Sequence, residues 1–156
     1  STATQNNSGR GNIFEATADG TIDGFELYMT ATGTCSVDLY VLSNSSVTTT
    51  GWTVEWSSPG NSVSSAGYVD TGSIGVSTTT GTHYALVSGW QCGSGTATYR
   101  YNTDSADDTI SGFAEHSGAG GWNLTYTSTL AGSGQSLGWA SASDIARYDM
   151  IIDYTY

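Results

Sequence analysis

Apolar and polar residues alternate along most of this chain with a period of two, the spacing that puts successive side chains on opposite faces of a β-strand. In "TIDGFELYMT", Phe25, Leu27 and Met29 share one face while Glu26 and Tyr28 share the other. "SVDLYVL" repeats the pattern, with Val37, Leu39 and Val41 inward and Asp38 and Tyr40 outward, and "GWTVEWSS" sets Trp52, Val54 and Trp56 on one face. "HYALVSGW" is almost continuously apolar, as expected of a strand covered on both faces. With "NIFEATA", "GYVDTGSIGVS", "ATYRYN", "TISGFAEH", "WNLTYTST" and "RYDMIIDYTY", the pattern predicts about ten strands, separated by turns such as "ADG", "ATG", "SPGN" and "GAGG". Apolar residues do not recur at helical spacing, and only "ASDIARY" (142–148) is compatible with a single helical turn.

No unit of solenoid or propeller length repeats, so the strands are expected to pack as an antiparallel two-sheet β-sandwich of jelly-roll type. The length suits one domain over 1–156, with residues 1–11 a flexible or edge segment, and the start at Ser1 is read as that of a processed or excised product. No apolar run is long enough for a transmembrane helix.

Composition narrows the partners. The chain has 21 glycines, no lysine, and a net charge of −11 set against only Arg10, Arg100 and Arg147. Three scattered arginines cannot make the basic stripe that displaces the counterions of a phosphate backbone, so nucleic acid and anionic lipid surfaces are disfavoured partners. High charge with low hydrophobicity is also the signature of disorder, but five Trp, ten Tyr and three Phe supply a core. The two cysteines, Cys35 and Cys92, are either free buried thiols or a bridge. A lysine-free, acidic, Ser/Thr/Gly-rich chain reads as an exported protein, in which they pair. Both are expected near strand ends, in a bridge that ties an early strand to a central one and contributes about 4 kcal/mol.

The series "GNIFEATADGTIDGFELYM", "SVDLYVL", "WTVEWSS", "GTHYALVSGWQC" and "RYDMIIDYTY" resembles the secreted bacterial β-sandwich modules attached to polysaccharide-degrading enzymes and surface proteins. The resemblance lies in the cadence of strands over most of the chain. It implies a jelly-roll module of the carbohydrate-binding or adhesive sort, with specificity carried by loops.

The chain has no HExxH or Walker loop, and neither "GAGG" nor "GSG" lies between a strand and a helix. His83 is expected to cap a strand end. Glu15, Glu26, Glu55 and Glu115 are the only glutamates from which a glycosidase pair could be drawn, and Glu26 and Glu55 read as solvated sheet surface. Asp104, Asp107 and Asp108 in "NTDSADDT" form the one oxygen-rich loop suited to a structural Ca²⁺. The aromatics are more informative, because sugar C–H faces stack on rings while hydroxyls pair with polar side chains at the rim. Trp122, Trp139 and Tyr101 stand in Gly-bounded or polar settings, and Arg100, Glu115, His116 and Asn123 lie beside them in sequence. "GFAEHSGAGGWNLTY" is expected to form a hairpin that brings Glu115, His116 and Trp122 to one loop end.

These features describe an extracellular or cell-surface, non-catalytic carbohydrate-binding module. The alternatives are a structural or adhesive subunit pairing with copies of itself, and a small secreted glycan-active enzyme.

Overall fold

A computed structural model describes residues 2–5, 7–48, 50–63, 67–102, 109–115, 121–124, 133–135 and 147–156. Among the described residues the chain is all-β, and every strand pairing is antiparallel. The strands are β1 (Thr2–Gln5), β2 (Asn7–Ala16), β3 (Gly20–Asn44), β4 (Trp52–Val63), β5 (Gly67–Asp70), β6 (Val76–Thr78), β7 (His83–Asn102), β8 (Thr109–Ile110), β9 (Phe113–Glu115), β10 (Gly121–Leu124), β11 (Ser133–Gln135), β12 (Arg147–Tyr148) and β13 (Met150–Thr155). No helix among these residues is long and apolar enough to cross a membrane.

Two expected turns are absent. "TIDGFELYMT" and "SVDLYVL" run together as the 25-residue β3, and "HYALVSGW" and "ATYRYN" as the 20-residue β7. These two strands pair from Met29 opposite Tyr99 to Asn44 opposite His83. Drawn straight, β3 would be about 80 Å long, whereas a domain of this length has a radius of gyration of only about 15 Å. The ladder must therefore bend. It does so where "TATGT" faces "SGTAT": Gly33 and Gly95 are register partners and both hold a left-handed φ, at 82° and 91°. A side chain on either would run into the opposing backbone, at Ser94 O for Gly33 and Thr32 O for Gly95. Glycine here carries the ladder round a corner instead of ending it.

Cys35 and Cys92 are direct register partners one step beyond this corner, and they are joined by a disulfide. Contrary to the expected positions near strand ends, both lie in mid-strand. The register shifts by one residue between Thr34 and Cys35, leaving Gly93 as the extra residue on β7. That shift changes which residues of β7 face the core: Tyr84, Leu86 and Trp90 before it, Ala97 and Tyr99 after it.

The main core takes side chains from both arms of β3, Phe25, Leu27 and Met29 as well as Val37, Leu39 and Val41, with Phe14, Leu86, Trp90 and Phe113. A second buried cluster, Ile13, Tyr40, Leu42, Trp52, Ala85 and Val87, occupies the opposite face of the central strands. This overturns the outward placement of Asp38 and Tyr40. Tyr40 is fully buried, and Asp38 is buried beside a two-residue bulge of β4, Pro59–Gly60. Its carboxylate accepts the Gly60 N–H at 2.7 Å and the Tyr40 hydroxyl at 3.2 Å, so the charge is solvated by the chain itself. "SPGN", read as a turn, is thus a bulge inside a strand. A second bulge at Glu55 sends Trp56 to the main core and Val54 to the second cluster, splitting a trio that alternation had placed on one face.

At the N-terminus β1 pairs with β7, and from Asn7 onward β2 pairs with β7 on one flank and with β10 and β9 on the other.

The corner generates two predictions. Replacing both cysteines by alanine should lower the unfolding free energy by about 4 kcal/mol in chemical denaturation, the loop-entropy value for a separation of 57 residues. Gly95→Ala should cost more than about 2 kcal/mol, through its left-handed backbone and the overlap with Thr32, while Gly93→Ala, with open space around it, should stay within about 0.5 kcal/mol of wild type. Equal effects at the two glycines would contradict the corner.

Candidate functional site

Beyond Met29 and Tyr99 the two long strands part, and the C-terminal segment fills the opening. β12 runs in along β7, with Tyr148 opposite Tyr101, and β13 runs out along β3, with Met150 opposite Leu27. Asp149 is the elbow between them. Its N–H donates to Arg100 O at 3.2 Å and its carbonyl accepts from Tyr28 N at 2.9 Å, so a single residue joins both diverging strands.

The side chains around this elbow form a cluster on the outward face. The Arg100 guanidinium lies 3.6 Å from the Tyr28 ring centroid, and its Nη1 is 3.8 Å from the Asp149 carboxylate. Tyr68 is the register partner of Tyr28 and meets it edge-on at 5.4 Å, and its hydroxyl donates to Asp149 Oδ1 at 2.9 Å. That hydrogen bond, followed by burial and the nearby carboxylates, raises the Tyr68 phenol above its ordinary value. One row further out, Ile151 and Asp70 flank Glu26 on its two sides. Tyr68 is 40% exposed and Ile151 is 46% exposed. The alternation read from "TIDGFELYMT" is correct here, with Phe25, Leu27 and Met29 buried and Glu26 and Tyr28 outward.

Of the residues singled out from sequence, Arg100 belongs to this cluster and Tyr101 does not. Tyr101 is half-buried against the core, 6.1 Å from Tyr99. The register shift at Gly93 explains the difference, because it turns Tyr99 and Tyr101 inward and leaves Arg100 at the surface. Glu115, Trp122 and Asn123 are described only by strand position, opposite Phe14, Gly11 and Arg10 of β2. β9 and β10 run the same way along one flank of β2, so the expected hairpin over 112–126 is replaced by two collinear segments. Glu115 and Trp122 then stand about 10 Å apart along β2. A hairpin does form earlier, between β8 and β9 around Ser111–Gly112. His116, Trp139 and the calcium candidates Asp104, Asp107 and Asp108 lie outside the described residues. Among the described residues no three His, Cys, Asp or Glu side chains converge as metal ligands.

Arg10 is buried, 4.8 Å from the Tyr99 ring and 5.9 Å from Trp90, and donates to Ser8 Oγ, to Gly9 O at 2.7 Å and to Tyr99 Oη at 3.1 Å. His83 opens β7, as expected, and its Nε2 is 3.8 Å from Glu15 on the adjacent strand. Sequence reading missed Tyr68, Asp149, Asp70 and Ile151. The available signal was the outward parity of Glu26 and Tyr28; which strands bring partners to them is a matter of pairing, which alternation does not encode.

The Tyr68 hydrogen bond has a pH signature. It holds the neutral phenol, so its stabilisation is fully present below the unfolded tyrosine value of about 10 and is lost as pH rises through the higher folded-state value. Tyr68→Phe should therefore lower the melting temperature at pH about 8, with the gap to wild type closing as pH passes the folded-state value. A gap that stays constant across that range would show the bond to be energetically silent. No family model matches this sequence, and neither curated proteins nor solved structures provide a match.

Proposed function

We propose that the chain is a non-catalytic, extracellular carbohydrate-binding module, a jelly-roll-like sandwich of two sheets and about ten strands. One observation carries the reading: the outward cluster of Tyr28, Tyr68, Arg100 and Asp149, which sets aromatic rings beside hydrogen-bonding and charged groups on a single sheet face. That combination suits a pyranose, whose C–H face stacks on a ring while its hydroxyls reach polar neighbours. The cluster is already tied together by its own contacts, so little ordering is needed on binding. Trp122 and Asn123, on the flank of β2, are a second contact region in this reading. The Cys35–Cys92 bridge supports an extracellular location, since such bonds persist in oxidising compartments. The net charge of −11 argues against nucleic acid as a partner.

The structural or adhesive alternative rests on the outer edge of β4, which among the described residues has a strand neighbour only at Trp52 and Thr53. The Pro59–Gly60 bulge and the exposed Glu55 interrupt that edge, as edges protected from pairing are interrupted. A glycan-active enzyme is the weaker alternative, because Glu26 and Asp70 face each other on an outward sheet face, where a catalytic pair would sit in a cleft.

Affinity electrophoresis through gels containing a panel of neutral, amino and acidic polysaccharides tests the proposal. At least one glycan should retard the wild-type chain, and Tyr68→Ala should weaken that retention by about tenfold while circular dichroism stays unchanged. A wild-type chain retarded by none of them would sink the reading. Concentration-dependent assembly in light scattering would favour the structural alternative.

A further inference from the structure

Resting on the glycan-binding reading and narrowing it, we infer that the outward face of β13, β3 and β5 takes a positively charged glycan, a polymer of amino sugars carrying free amino groups. The face is built from register partners. Ile151, Glu26 and Asp70 form one row across the three strands, and Tyr28 and Tyr68 form the next, with Asp149 at its end. Neighbouring strands are about 4.8 Å apart and alternate residues about 6.7 Å. A ring of one sugar over Tyr68 therefore leaves its amino group within reach of Glu26 or Asp70, with no rearrangement of backbone.

Charge complementarity selects the ligand. Glu26, Asp70 and Asp149 surround the exposed Tyr68 ring, and Glu26 and Asp149 both act on its phenol electrostatically. The cation of this cluster, Arg100, is already engaged by the Tyr28 ring and the Asp149 carboxylate. That internal contact shows the recognition the face provides: a cation held between an aromatic face and a carboxylate. Tyr68 and Glu26 repeat the combination one position outward, where the surface is open. The overall charge of −11 attracts a polycation over a longer range and repels sulfated or uronic polymers. An extended strip of register partners suits successive units of a polymer, each bound weakly, better than a single sugar. A lysine-rich peptide carries the same charge but lacks the pyranose ring that Tyr68 would stack on.

The test compares a soluble glucosamine polymer with free amines, the same polymer fully N-acetylated, and poly-lysine of similar length, by calorimetry and affinity electrophoresis on the whole chain. The free-amine polymer should bind about tenfold more tightly than its acetylated form, and about 0.5 M salt should erase that preference. Glu26→Gln with Asp70→Asn, both surface changes, should abolish the preference while the melting temperature is kept. Equal or tighter binding of the acetylated polymer would overturn this inference and leave the glycan-binding reading standing. Poly-lysine binding as tight as the free-amine polymer, and lost in the same double variant, would overturn it in favour of a basic peptide. No binding of either glucosamine polymer would also overturn it, and the broader reading would then depend on the remaining glycans of the panel.

Discussion

The antiparallel ladder between β3 and β7 is the constraint on which the rest of the structure depends. Every other described strand except β8 is within one or two pairings of it, and its two arms supply most of the buried apolar surface. A ladder of this length folds into a small domain only by turning, and the turn has to preserve hydrogen bonding on both strands. Paired glycines at 33 and 95 meet that requirement, because their left-handed backbones and missing side chains let the strands bend together. The disulfide one step away locks the register at the point where an extra residue on β7 would otherwise permit slippage. Corner, bulge and bridge form one device, and all of it lies within Gly33–Cys35 and Cys92–Gly95.

The chain's scarce positive charge is placed where a cation does most. Arg10 is buried against two aromatic rings and a set of oxygen acceptors, where burial strengthens each hydrogen bond it donates. Arg100 is spent on the elbow at Asp149, where it holds together the strands that part beyond Tyr99. Carboxylates are engaged in the same way, Asp38 by the Gly60 N–H and the Tyr40 hydroxyl and Asp19 by Thr80, and 14 acidic residues against three arginines leave the chain with a net charge of −11.

Local chemistry was legible where one face of a strand met one environment. Phe25, Leu27 and Met29 alternate with Glu26 and Tyr28 in sequence and in the fold, and the cysteine pairing followed from composition. Alternation failed at three kinds of place, each with its own cause. Asp38 and Tyr40 are polar or amphipathic residues in a strand covered on both sides, where Tyr40 completes a second apolar cluster and Asp38 caps a bulge. Trp56 and Tyr101 follow bulges, and one inserted residue reverses every later side chain. The segment 112–126 contains a plausible turn, yet its two strand pieces both find the same flank of β2, a non-local partner that no local signal names.

By itself, the sequence determined the strand-rich class, the covalent bridge and the net negative charge, because each follows from residue type, spacing or summed charge. Only the tertiary structure decided that "ATG" and "SPGN" are a corner and a bulge, and that Arg100, Tyr28, Tyr68 and Asp149 meet at one elbow. Those outcomes depend on register between segments distant in sequence, from Leu39 opposite Ser58 to Tyr28 beside Asp149, and register is set by which buried faces and backbone hydrogen bonds can be satisfied together.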